Sequence, residues 1–416
     1  MPSSERRPGA PAEPPGPQAP RPEPSAGTLE RQLALAGAAT VPGLIVRFTG
    51  GAAPYPLQVL AYGTAVIAAA FMLAWATEAA QVDIRHGIVI AFIAFVAILP
   101  EYVVEVHYAF IGQAEYVTAN LTGASRLLLG FAVGLPAVVG LLRGRLGVPP
   151  IGRLSLASPH RLELAILGIS SLWALRGVLR GQLTLLDSAV LCGLYVLYLR
   201  RVALIGDEGP PPVGVAELLA ILPGPQRRRW VRALLIYSAA VILLTAVPFG
   251  DAVLGTGALV GISPYVLLQW VVPLATEAPE LVVAFVLLTH GRGGQSLAVL
   301  LAGAVSQYTL ALGTLPVAYR LGVATGPLPL PGRERIELLL TTGVGLYAIA
   351  SLVMLRLSRG DSAMMLALFT AQFALPSTFT RLGFALVFWV VAIDILVAER
   401  RNLPLLLTTL RPRSAP

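Results

Sequence analysis

From about residue 33 to residue 398 the chain is a succession of apolar windows, each long enough to cross a bilayer as a helix and separated by short polar breaks. In hydrocarbon every backbone polar group needs an internal partner, so such a chain has one open-ended solution, a bundle of spanning helices. Twelve windows are expected, at roughly 33–50, 57–80, 87–111, 118–142, 160–179, 184–200, 231–247, 264–289, 296–318, 336–356, 361–376 and 381–398. The balance of 56% hydrophobic and 12% charged residues, with mean hydropathy +0.75, excludes an ordinary soluble domain. Residues 1–32, rich in Pro and Ala and without an apolar run, read as a disordered tail rather than a signal peptide.

The net charge of +8 comes from arginine alone, since all 30 basic residues are Arg. These lie at window ends and in short loops, a distribution that suits a membrane surface and not a nucleic acid. With twelve spans and both termini cytoplasmic, 22 arginines fall inside and 7 outside, among them Arg381, while Arg126 lies within a span. This is the asymmetry that orients a multi-pass protein, here expected in the plasma membrane. The lone Cys192 supports neither a disulfide nor a Cys-based metal site and is expected to pack in the core.

Windows two to six and seven to eleven begin at offsets of about 174 to 178 residues, which indicates an internal duplication of five helices. Five is odd, so the second copy enters the membrane from the opposite face. Inverted repeats of this kind build secondary transporters with a site near the midplane. The expected organisation is an extra helix in 33–56, repeats at 57–200 and 231–376, a basic cytoplasmic linker at 201–230, and a last helix with its tail in 377–416.

Pro100-Glu101 and Pro279-Glu280 occupy matching places in the two copies, and each is followed closely by a pair of valines. Downstream, LTGASRLLLGFAVGLP (121–136) aligns with LAGAVSQYTLALGTLP (301–316). A carboxylate inside hydrocarbon is costly, so each is a site candidate by default. Glu105 shares a helix face with Glu101, and Glu277 lies three residues before Glu280. Proline removes a backbone donor and frees a carbonyl one turn earlier. Carboxylate, carbonyl and hydroxyl oxygens form the ligand set of hard cations such as Na⁺ and Ca²⁺, and Thr276, Asn120, Thr122, Ser125, Ser306, Gln307 and Thr309 add neutral oxygens.

These stretches resemble the cation/calcium antiporter superfamily, the sodium/calcium exchanger membrane region. VAILPE (96–101) and ATEAPE (275–280) keep the Pro-Glu of its first motif, while the Thr and Ser positions are mostly apolar or replaced. TANLTGASR (118–126) and LLAGAVSQ (300–307) keep parts of its second. The resemblance covers about residues 57 to 376 and implies an all-α polytopic antiporter with alternating access. It further implies Glu101 and Glu280 as central cation ligands, flanked by Asn120, Ser125, Ser306 and Gln307. The expected cargo is Na⁺ and Ca²⁺; Na⁺/H⁺ exchange and a non-transporting sensor or scaffold are the alternatives.

Arg126, close in sequence to Asn120 and Ser125, is expected either to pair with Glu101 or Glu105 and tune the charge of the site, or to snorkel. Glu105 and Glu277 either touch the ion or face an aqueous vestibule. Glu78 and Asp394 read as interfacial, His107 and His290 as solvated or locally paired, and Gly130 with Gly134 as a close helix contact. No P-loop, dinucleotide fingerprint or catalytic metal motif occurs, so neither an enzyme nor a bound cofactor is expected.

Overall fold

The computed structural model describes residues 26–83, 98–145, 154–205, 212–323, 326–375 and 377–410. It is an all-helical bundle. The chain runs through α1 (Ala26–Phe48), α2 (Tyr55–Ala80), α3 (Leu99–Phe110), α4 (Ala114–Arg145), α5 (Arg161–Arg180) and α6 (Leu185–Ile205). A short α7 (Val215–Ala220) leads to α8 (Gly224–Val260), α9 (Pro264–Thr276), α10 (Ala278–Thr289), α11 (Gly293–Ser306) and α12 (Leu312–Val323). It closes with α13 (Gly332–Leu352), α14 (Arg359–Ala374), α15 (Thr378–Ala398) and α16 (Leu403–Thr408).

Every expected window carries helix, although the first part of the third (87–97) lies outside the described residues and only its second part, α3, is seen. Among the described residues, seven helices are long and apolar enough to cross a membrane, and the bent α9–α10 pair makes an eighth. Three expectations shift. Helix begins at Ala26, inside the stretch read as tail; residues 215–220 and 224–230 of the expected linker are helical; and the window 264–289 bends by 58° between α9 and α10. Proline explains the bend. Pro273 and Pro279 have no N–H for the carbonyls of Gln269 and Ala275, and Glu277 between them adopts φ −90°, ψ 0°, in the sparsely populated bridge region.

The inversion is written into four two-residue strands at the ends of α5 and α13. β1 (Leu154–Ser155) precedes α5 and β2 (Gln182–Leu183) follows it; β3 (Leu328–Pro329) and β4 (Arg356–Leu357) flank α13 in the same way in the second repeat. β1 pairs antiparallel with β4, matching Leu154 to Leu357, and β2 pairs with β3, matching Leu183 to Leu328. A shift by one repeat length turns one pair into the other with the strands exchanged. The same operation carries the Leu156 N–H to Leu355 carbonyl bond (2.9 Å) onto the Leu330 N–H to Gly181 carbonyl bond (2.8 Å). Two helices tied to each other at both ends by exchanged strands run antiparallel, as inverted repeats require. Leu355, the one non-glycine residue with positive φ among those described (φ 56°), occupies the place of Gly181 (φ 68°), so the repeat imposes its backbone on a side chain that does not prefer it.

α2 packs along α8, its repeat counterpart, with α1 laid against both, and α15 packs along α13. The outer faces stay apolar: Leu60, Ile236, Leu243 and Val390 are all exposed, as lipid-facing residues are.

Candidate cation-binding site

Two helical hairpins build the site. α3 and α10 each end at a left-handed glycine, Gly112 (φ 80°) and Gly291 (φ 78°), at equivalent places in the two repeats. Each is locked by an equivalent bond, from Gln113 N–H to the Tyr108 carbonyl (2.8 Å) and from Arg292 N–H to the Leu287 carbonyl (2.9 Å). The chain then returns as α4 and as α11. In an antiparallel hairpin, residues equidistant from the turn face each other, and this decides which side chains meet.

Pro100 and Pro279 sit in the first turns of α3 and α10, where a missing N–H costs little. Glu101 and Glu280 share those first turns, at the positive ends of the two helices. Both lie eleven residues from their turn glycine, about 16 Å along a helix, and hence near the middle of a core about 30 Å thick. Glu101, Glu105 and Glu277 are buried and Glu280 is half-buried. Glu101 lies within electrostatic reach of Glu277, Glu280 and Glu105, and Glu280 within reach of Glu277 and Glu78. No basic side chain is among these partners.

Amides complete the arrangement. Gln307 donates through Nε2 to Glu101 Oε1 (3.2 Å) and to Glu277 Oε1 (3.1 Å), joining the two repeats. Asn120 donates through Nδ2 to Glu105 Oε1 (3.2 Å). Gln307 opens a π-helical turn, Gln307–Ala311, between α11 and α12, a departure from α geometry that recurs at functional sites. Among the described residues, no three His, Cys, Asp or Glu side chains form a ready-made metal cage; an amide nitrogen lies between Glu101 and Glu277 instead.

Residues 55–203 and 230–376 match the sodium/calcium exchanger protein family. The chain belongs to that family. Among solved structures it is similar to the crystal structure of the H⁺/Ca²⁺ exchanger CAX, with 30% identity and a TM-score of 0.84 over 92% of this chain and 97% of that one. Native YfkE (16% identity, TM-score 0.58, 85% of this chain and 99% of that) and the sodium-calcium exchanger NCX_Mj soaked with Na⁺ and Sr²⁺ (17%, 0.50, 82% and 99%) share the fold. No curated protein matches the chain.

Of the residues singled out in the sequence, Glu101, Glu105, Glu277, Glu280, Asn120 and Gln307 converge. Ser125 lines a small internal void with Thr122, Gln307, Tyr308 and Thr341. Thr276 donates back to the Val272 carbonyl (3.2 Å) and Ser306 to the Ala302 carbonyl (3.4 Å), each on its own helix.

Arg126 departs from expectation. It is fully buried, so it does not snorkel, and it pairs with neither Glu101 nor Glu105. Its Nη2 lies 2.8 Å from Glu337 Oε2 and its Nη1 donates to Gln372 Oε1 (3.0 Å), while its guanidinium sits over the Trp270 ring. The other Glu337 oxygen meets Arg381 Nη1 at 2.6 Å. Arg381, counted in an outer loop, is buried in α15, which leaves six of the seven outer arginines. Gln269 joins the network through Nε2, donating to Glu337 Oε2 (3.0 Å) and Thr122 Oγ1 (3.3 Å). Glu337, Gln269 and Gln372 carried no motif; for Glu337 the available signal was a charge inside an apolar window, which also marked Arg126, and the two neutral glutamines offered none.

Glu78 is half-buried and faces Glu280, closer to the cluster than an interfacial reading places it. Asp394 and His290 are exposed, and His107 is half-buried against the Tyr108 ring. Cys192 is half-buried where α6 meets Gly313 of α12. A Cβ on Gly130 would lie 2.6 Å from the Phe369 ring, so this glycine does bring α4 against α14.

Proposed function

We propose that this protein is a secondary antiporter that moves Ca²⁺ across the membrane in exchange for protons, binding the divalent ion between Glu101 and Glu280. The observation that carries the reading is the convergence of those two Pro-Glu carboxylates, one from each inverted repeat, near the midplane. Four carboxylates facing one another without an arginine repel unless protons or a cation share the space. Alternate occupancy by the two is therefore the exchange itself. An all-oxygen set of carboxylates and amides suits a hard divalent cation. The likeness to the H⁺/Ca²⁺ exchanger CAX at 30% identity supports the proton as counter-ion.

In this mechanism the prolines and the bend at Glu277 divide the second hairpin into segments that reorient about the fixed carboxylates, exposing them to one side at a time. Binding of one ion displaces the other, so neither crosses alone. The arginine balance supports cytoplasmic termini, in a protein of the plasma membrane. Sodium as counter-ion is the second reading, favoured by the family match.

The test is Ca²⁺ uptake by proteoliposomes of the purified protein under an imposed pH gradient and, separately, an imposed Na⁺ gradient. Uptake driven by the pH gradient and abolished in Glu101→Gln and Glu280→Gln is the expected result. Uptake driven only by Na⁺ replaces the counter-ion, and absence of uptake under both gradients overturns the antiporter reading.

A further inference from the structure

Two buried glutamates outside the ion site, Glu163 in the first turn of α5 and Glu337 near the start of α13, are repeat counterparts. The shift that carries one onto the other also carries Leu154 onto Leu328 and Leu183 onto Leu357. Glu337 is held by two guanidinium groups, but the counterpart of Arg126 is Ser306, and Arg381 lies outside the repeats. In place of Gln372, which accepts from Arg126, the first repeat has Tyr198. One half of the molecule therefore locks its carboxylate with fixed charge, and the other sets it among groups that exchange protons.

Glu163 is only 8% exposed. Tyr198 donates from Oη to Glu163 Oε1 (3.4 Å), and His160 Nδ1 lies 3.6 Å from the same oxygen. The second oxygen, Oε2, is buried with no hydrogen-bond partner, which leaves it open to a proton. His160, a residue type that exchanges protons near neutral pH, lines a surface cavity of about 470 Å³ with Ser155, Arg292 and Gln295, beside the α10–α11 turn. In the orientation proposed above this is the cytoplasmic end. Tyr195 lies one turn deeper than Tyr198, with ring centroids 6.4 Å apart, and its hydroxyl faces Ser306, the neighbour of Gln307. Tyr195 is ten residues from each end of α6 and hence at mid-depth. The four side chains thus step from the cytoplasmic cavity to the level of the ion site, on elements that give that site none of its carboxylates or amides.

We propose that Glu163 is a proton-transfer residue, loaded from the cytoplasmic cavity through His160 and linked by Tyr198 and Tyr195 to the midplane, so that protons reach the ion site by a route separate from that of Ca²⁺. This rests on the proton-exchange reading above. His160 gives its proton to the Glu163 carboxylate; the carboxyl passes one to the Tyr198 oxygen as that hydroxyl releases its own toward Tyr195, so no net charge stays on either tyrosine. Of the other charged or titratable groups around Glu163, Arg292 lines the cavity with His160 and Arg161 lies on its own helix. Arg201, one turn beyond Tyr198 on α6, is engaged by the Leu410 carbonyl (2.6 Å), and Tyr347 of α13 donates to the Asp361 carbonyl (3.0 Å). Neither α11 nor α16, both packed against α5, carries a titratable side chain.

Two fluxes in proteoliposomes of the full chain separate a proton route from the Ca²⁺ site. One is Ca²⁺ uptake driven by a pH gradient; the other is exchange of labelled for unlabelled Ca²⁺ at equal pH, which moves no net protons. Glu163→Gln is expected to slow the first by about tenfold or more and to leave the second within about twofold, and Glu163→Asp to recover most of the pH-driven rate. Equal loss of both fluxes, or no change in either, overturns the proposal. If Glu163→Gln does not purify as a single species, Tyr198→Phe, which keeps the ring, is expected to slow pH-driven uptake while sparing Ca²⁺/Ca²⁺ exchange; an unchanged pH-driven rate overturns the proposal. A wild type that takes up Ca²⁺ only under a Na⁺ gradient fails the proton reading and this proposal with it, and one that takes up Ca²⁺ under neither gradient fails the antiporter reading itself.

Discussion

The guanidinium of Arg126 lies 2.8 Å from a carboxylate oxygen of Glu337, far away in the chain, and both side chains are fully buried. With Arg381 on the other oxygen, Glu337 holds α4, α13 and α15 to one another. The last long helix, outside both repeats, is thereby tied to the helix that carries Asn120 and Ser125.

Glu337→Gln strands two buried guanidinium groups without a counter-charge. A loss of about 3–5 kcal/mol is expected, read as a large drop in thermal stability in detergent. Replacing Arg126, Glu337 and Arg381 together by methionine is expected to recover most of that loss, because apolar packing substitutes for a buried ion network.

Since Arg126 is held by Glu337 and Gln372 and makes no contact with Glu101 or Glu105, Arg126→Ala is expected to weaken the fold while leaving half-saturating Ca²⁺ within threefold of wild type in transport assays. A shift in ion selectivity at unchanged stability is the contrary result, and it would restore a charge-tuning role.

A Cβ placed on Gly123 would lie 1.8 Å from the backbone oxygen of Gln269, and neither backbone is free to move. Gly123→Ala is expected to force α4 from α9 and to cost more than the roughly 1–3 kcal/mol of ordinary overpacking. Size-exclusion profiles of the detergent extract provide the check, with Gly140→Ala, which meets nothing, as the control.

Gly181 and Leu355 share a left-handed backbone at equivalent places. Gly181→Ala is expected to cost about 1–2 kcal/mol, from backbone strain alone. Leu355→Gly relieves that strain but gives up a buried leucine, a loss of about 2–5 kcal/mol, and so is expected to be the more destabilising of the two. Thermal unfolding of the two variants side by side ranks them.

Hydrogen bonds from Arg227 hold the Asp83 carboxyl, in the turn after α2, below the usual carboxylate range. A depressed folded value means the stabilisation is present above the unfolded value, about 4, and is lost as pH falls through the folded one. Asp83→Asn is therefore expected to lower stability at pH 7 by at most about 1 kcal/mol. The difference from wild type should vanish in strongly acid buffer, which melting curves across pH can follow.

Much of the architecture was legible from periodicity and self-similarity. Hydrocarbon leaves the backbone so few choices that apolar window length alone located the helices, and the offset between windows exposed the inverted repeat. Glu101 and Glu280 stood out because charge inside an apolar window is rare. The break at Glu277 and the π turn at Gln307 were not legible, since Pro273, Pro279 and Gln307 also fit a continuous helix and only packing between repeats selects the bend.

The sequence by itself determined a membrane bundle of duplicated helices with one Pro-Glu carboxylate in each half, because those properties depend on local composition and spacing. Tertiary structure decided which charges pair. Arg126 is close in sequence to the site residues of its own repeat, yet its partner is Glu337, and Arg381 leaves the surface count to join them. Electrostatic pairing in a low-dielectric interior follows distance in space, and helices far apart in the chain become neighbours only when the bundle closes.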